Sequence, residues 1–160
     1  MNIIEMHSKY DGNIYLIVDS IRVKEKIAVL NKSDYINLFD KTNEAGTPDD
    51  YSPILIKINN LNFKQEKISN LWDLTNVSSV IVSSLDEDEI LVKLRNLMYV
   101  ENENNSKFLY RWYDSRMVLN IDKLFSKNTL VDIFEGVDFW FVKKLDKNLE
   151  KYESYNLIEG

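Results

Sequence analysis

The chain has 160 residues and a formal net charge of −6, a length that suits one domain able to bury roughly 70% of the surface exposed on unfolding. The absence of cysteine and the single histidine exclude disulfide scaffolds, thiolate nucleophiles, iron–sulfur clusters and histidine-rich metal sites. Four glycines and two prolines exclude collagen-like and Pro-rich architectures, and the acidic balance argues against a general nucleic-acid or anionic-membrane binder.

The N-terminus has an acid in its only apolar stretch and no basic lead, so it is not expected to be a signal peptide. No apolar run approaches the ~18 residues of a membrane helix, and the expected compartment is the cytosol. Residues 13–19 (N-I-Y-L-I-V-D) form a continuous, β-branched apolar run, the pattern of a strand buried on both faces. Asp19 or Ser20 can cap a helix reaching residue 31, with Ile21, Lys24, Ile27, Ala28 and Leu30 on one side. Residues 33–39 suggest a helical turn, and 41–52, with Gly46 and Pro48, a loop. Residues 54–58 (I-L-I-K-I) predict a second strand, 59–62 a turn, 65–74 a weak helix and 77–84 a third strand. Ser84 with Glu87 fits a capping box, and the acids behind it suit the positive end of a helix carrying Ile90, Leu91, Leu94, Leu97 and Met98.

A polar turn at 101–106 leads to an aromatic stretch, 107–113 (K-F-L-Y-R-W-Y). As a strand it would point Phe108, Tyr110 and Trp112 one way and Leu109, Arg111 and Tyr113 the other. Asp114 can cap a short helix, and Asn128 another that ends before Gly136. Residues 137–142 predict a last strand. Leu145, Leu149 and Tyr152 stand at helical spacing in the charged residues 143–160, which predicts a surface helix or tail. Strands alternating with helices give an α/β class: a single domain with a mixed central sheet of about five strands flanked by helices. The connections permit right-handed parallel crossovers among the first three strands.

Arginine is scarce in a lysine-rich chain (Arg22, Arg95, Arg111, Arg116), so the planar fork is expected to be needed where it persists, because lysine cannot supply bidentate geometry. The one dense constellation is Arg111-Trp112-Tyr113-Asp114-Ser115-Arg116, at an expected strand end and helix start, where α/β sheets often place sites. Two guanidiniums flank a carboxylate and a phenol, which suits a clamp on a partner's carboxylate or main chain. For each side chain taken singly the first expectation is an internal ion pair and helix cap that fix a turn, and the two readings are compatible. The stretch lacks a neutral-pH base, a thiol and an activated hydroxyl. His7 lies far away in an unstructured-looking terminus and is expected to be solvated. The acids at 86–89 lack the loop glycine of a calcium site and suit a solvated helix start. No metal or cofactor is expected. Trp72, Trp112 and Trp140 are expected in the core, whereas nine tyrosines exceed what a small core holds, and exposed ones suit protein interfaces. The acidic surface as a whole favours a partner segment carrying basic charge.

The stretch 108–119 (F-L-Y-R-W-Y-D-S-R-M-V-L) resembles the signature of the bacterial adaptor chaperones of type VI secretion effectors, which carry an F-R-F-Y-D-P-R-V-L type motif. Residues 110–118 match it in order, with Ser115 in place of the usual proline, which leaves the turn freer. Residues 15–19 (Y-L-I-V-D) resemble the family's Y-L-L-L-D opening. Residues 91–97 resemble its H-L-R-R-L helix, with Arg95 at the basic position, and Phe134-Glu135-Gly136-Val137 with Trp140 resembles its F-x-G-P-V…W close. The resemblance spans about 14–142. It implies a non-catalytic cytosolic adaptor that binds one cognate toxin, usually through that toxin's N-terminal segment. Such an adaptor helps load its toxin onto the secretion spike, the valine–glycine repeat protein G, with no part for nucleic acid or membrane. Relatives often carry a second lobe; here only residues 143–160 follow, so binding is expected of this domain alone. Arg95, Arg111, Trp112, Tyr113, Asp114 and Arg116 are the candidate partner-binding or motif residues. The rival expectation is an immunity protein, a small acidic binder that blocks a toxin's active site.

Overall fold

The computed structural model describes residues 2–3, 5–28, 30–58 and 70–158, apart from the His7 side chain. The expected turn at 59–62, residues 65–69 of the expected weak helix, and the solvation of His7 lie outside the described residues.

The central strand is β1 (Asn13–Asp19), whose Ile14 to Val18 are all fully buried. It pairs on one side with β3 (Pro53–Ile58) and on the other with β4 (Ser79–Ser83). A two-residue strand, β2 (Ile36–Asn37), lies outside β3; β7 (Val137–Leu145) and β8 (Tyr152–Asn156) continue beyond β4, giving the order β2-β3-β1-β4-β7-β8. A separate hairpin joins β5 (Tyr99–Glu101) to β6 (Lys107–Leu109).

The α/β class holds, but the strand directions correct one expectation: every pairing is antiparallel, including both pairings of β1. An apolar run with no polar alternation reports only that both faces are covered. Here two cores cover them. Ile14, Leu16 and Val18, with Ile54, Ile56 and Val80, pack under Ile3, Met6, Leu71 and Trp72. Tyr15, Ile17, Leu55, Ile81 and Trp140 pack under the helix α4 (Glu87–Leu97) and the segment 110–121. The first core takes in α1 (Met6–Lys9) and α3 (Leu71–Leu74), so the expected unstructured N-terminus instead has, among its described residues, Ile3 and Met6 packed at 2% exposure each.

Local departures have local causes. The expected helix after β1 is a 3-10 turn (Ser20–Arg22) and one α-turn, α2 (Lys24–Ile27). The cap of α4 is Asp86, accepting from the Glu89 amide at 2.9 Å, because Ser83 and Ser84 instead turn their hydroxyls to the Gly136 carbonyl. After the helical turn α6 (Ile121–Leu124), helix α7 (Lys127–Phe134) is capped by Ser126 instead of Asn128. The expected C-terminal helix is absent: β7 runs to Leu145, the chain turns at Asp146–Lys151, and β8 returns.

Candidate functional site

The aromatic stretch leaves the sheet pattern after Leu109. The Tyr110 amide donates to Met98 at 2.6 Å, and the Asp114 amide donates to the Arg111 carbonyl at 3.0 Å, closing a turn over 111–114. The expected strand over 107–113 is thus β6 followed by a corner. Trp112 and Tyr113 are neighbours in the chain and are buried, at 0% and 2% exposure, in the same core, whereas strand alternation would point them to opposite faces. The Trp112 indole N–H donates at 3.0 Å to the carbonyl of Leu94, one of the last-turn carbonyls of α4 without a helical partner. Its ring meets Trp140 edge-on at 5.5 Å, and Tyr113 meets Phe39 edge-on at 6.0 Å.

Asp114 then caps the helical turn α5 (Ser115–Val118) by accepting from the Arg116 amide at 3.0 Å. The Arg116 side chain folds back on the same carboxylate, with Nε at 3.0 Å and Nη2 at 2.6 Å, a bidentate fork that lysine cannot reproduce. Burial works against ionising Asp114, but hydrogen bonds from the Arg116 side chain and amide, with the Arg116 and Arg22 charges, outweigh it and hold the carboxyl below its usual range. Ser115 is fully buried and donates to the Asn76 carbonyl at 2.8 Å, so a hydroxyl anchors the turn where the resembling motif has proline.

Arg111 reaches across to the end of β1, where its Nη2 lies 3.6 Å from Asp19 Oδ2, and its guanidinium sits 5.7 Å from the Tyr113 ring centre. Asp19 is the mirror case of Asp114. Burial pushes its carboxyl up, and the charges of Arg111 and Arg22 only partly offset this. Arg22 lies within electrostatic range of both carboxylates. Arg22 and Asp19 were not among the expected site residues. The sequence signs were the scarcity of arginine, which includes Arg22, and its place three residues after the acid that ends the strand.

The two acids are inside and the cations outside: the side chains of Asp19 and Asp114 are 5% and 11% exposed, those of Arg111 and Arg116 55% and 58%. Arg95 does not share their partners. Its Nε and Nη2 donate to the carbonyls of Leu38 and Asn37 at 3.3 and 3.1 Å, tying α4 to β2. Of the candidate residues, Arg111, Asp114 and Arg116 meet at one surface; Trp112 and Tyr113 support it from the core; and Arg95 clamps the neighbouring edge.

The segments behind the resemblance meet as well. Tyr15 of the Y-L-I-V-D opening donates to the Leu85 carbonyl at 3.0 Å, and Asp19 at its end pairs with Arg111. Leu94 of the α4 segment takes the Trp112 indole, and Trp140 of the closing segment packs on Trp112. A separate cleft of about 290 Å³ lies between α4 and α7, lined by Lys93, Leu97, Phe125 and Ile133 among others, and includes none of residues 110–116. Among the described residues no cluster of acids or imidazoles could hold a metal ion. Among the same residues no helix is long and apolar enough to cross a membrane.

Fold and site together define an α/β domain built on an antiparallel sheet, with an arginine-rimmed corner at the end of its central strand. Residues 14–130 match the family model described as a domain of unknown function, DUF4123, and the chain belongs to that family. The matched residues include the Y-L-I-V-D opening and the 110–118 signature, whereas the Phe134 to Trp140 close falls beyond them. No curated protein and no solved structure matches the chain.

Proposed function

We propose that the protein is a cytosolic adaptor chaperone that binds a cognate type VI secretion effector, through that effector's N-terminal segment, and helps load it onto the secretion spike. The observation that carries this reading is the division of labour within the signature stretch. Trp112, Tyr113 and Ser115 are core residues, while Arg111 and Arg116 stand more than half exposed on either side of them, each braced by a buried carboxylate. Exposed guanidiniums backed by buried carboxylates suit recognition of another polypeptide. The described side chains around the corner include no nucleophile–base pair, so the role proposed is binding without chemistry.

Co-expression with a candidate type VI effector toxin tests the proposal. The two are expected to co-purify, with the toxin's activity intact and its N-terminal segment required. Loss of toxin activity in the complex would instead make the protein an immunity factor. Undiminished co-purification by an R111A/R116A variant that remains folded would remove the corner from the interface.

A further inference from the structure

We infer that the corner takes an acidic segment: the arginine rim made by Arg22, Arg111 and Arg116 is a docking surface for a stretch of partner polypeptide carrying carboxylates beside an apolar side chain. This inference rests on the adaptor reading and gives the chemistry of what is gripped. It reverses what net charge alone favours. The chain carries −6 overall, which would draw basic partners. Yet three of its four arginines converge here.

Their counter-charges do not face the partner. Asp19 and Asp114 lie behind the guanidiniums at 5% and 11% side-chain exposure. A partner approaching the corner therefore meets N–H donors first. Three cations stand in front of two buried acids, which hold the rim in place without hiding it. Arg116 commits its Nε and Nη2 groups to Asp114. A guanidinium has five N–H donors, so its Nη1 edge is not engaged in that pair. Two of the three cations have an exposed apolar residue beside them in the chain: Ile21 before Arg22 and Met117 after Arg116, each 48% exposed. Tyr152 at the start of β8, within electrostatic range of Arg116, is 43% exposed. Guanidiniums interleaved with exposed aliphatic and aromatic groups match an acidic–apolar segment, and they would repel a lysine-rich one.

Arginine side-chain NMR tests this cleanly, because the chain offers only four Nε–H signals and Arg95, locked on two carbonyls, is the internal control. The probes are a twelve-residue peptide of Glu, Leu and Ser and its counterpart with Lys in place of Glu. The Glu peptide is expected to shift Arg22, Arg111 and Arg116 and leave Arg95 in place. Its affinity should fall about tenfold or more between 50 and 300 mM salt, and R111Q/R116Q should lose the response while keeping the wild-type near-UV spectrum. Should that variant unfold, the single variant R22Q, whose side chain is exposed, must still weaken the Glu peptide several-fold. Equal or tighter binding of the Lys peptide, or no shift at Arg111 and Arg116 with the Glu peptide, overturns the inference. Co-purification of the toxin combined with either result would leave the adaptor reading standing and remove only the charge assignment.

Discussion

Replacing Asp114 isolates what holds the corner together. Its carboxylate makes three contacts: the Arg116 amide at 3.0 Å, Nε at 3.0 Å and Nη2 at 2.6 Å. The first is a helix cap, whose loss to alanine costs about 1 kcal/mol. The other two form an ion pair whose arginine is 58% exposed, so solvent screening limits it to about 1 kcal/mol or less. D114A is therefore expected to cost about 1–2 kcal/mol, or roughly 3–7 °C in Tm at this chain length. D114N keeps an acceptor for the amide and should cost about half as much. The pH dependence has a definite sign. The folded-state carboxyl lies below its ordinary value of 3.8, so its contribution is fully present above that value and is lost as pH falls through the lower, folded pKa. Urea melts at pH 7 and pH 3 should thus show wild type and D114N converging in acid. If D114A is as stable as wild type at pH 7, within about 0.3 kcal/mol, the carboxylate does not brace the corner and the account of Arg116 above is wrong.

Asp19 should behave oppositely. Burial raises its folded pKa above 3.8, so ionisation costs stability, which is complete below 3.8 and declines as pH rises through the folded pKa. D19N should lack that decline and be no less stable than wild type at pH 7, as urea melts between pH 3 and pH 7 would show. W112F removes the indole donor from the Leu94 carbonyl and leaves space against Trp140; the expected loss is about 2–4 kcal/mol, read by chemical denaturation. G136A places a Cβ 2.7 Å from Leu85 Cγ at φ +76°, whereas G46A, at φ +96°, meets nothing within 4 Å. Both incur the left-handed backbone cost of about 1–2 kcal/mol, and a Tm lower for G136A than for G46A measures the clash.

Strand positions were legible where runs of Val, Ile and Leu coincide with burial on both faces, as in β1, β3 and β4. Strand direction was not, because the two cores coat this antiparallel sheet as fully as helices coat a parallel one. The C-terminal region misled through Leu149, which fits a helical stripe but sits in the β7–β8 turn at φ +58° and is 74% exposed. Capping was ambiguous because Ser84/Glu87 and Asp86/Glu89 offer the same spacing, and the choice depends on Gly136, some fifty residues away. The Arg111-to-Arg116 stretch was legible as a constellation because its residue types cluster in the chain. Its completion by Asp19 and Arg22 was not, since about ninety residues separate them from Arg111 and only the end of β1 brings them together.

The alternation of roles along the corner explains how one short segment can serve both stability and recognition. Arg111 points its charge outward, the next two side chains bury, Asp114 turns in to cap, Ser115 bonds inward and Arg116 returns to the surface. Each exposed guanidinium is thus held at both ends, by a buried residue beside it in the chain and by a carboxylate in space. A free arginine side chain gives up about 2 kcal/mol of rotamer entropy when a partner immobilises it. Holding it in the unbound protein moves part of that cost from binding to folding. Folding can bear it, because Trp112 and Tyr113 pack against Trp140 and Phe39 whether or not a partner is present.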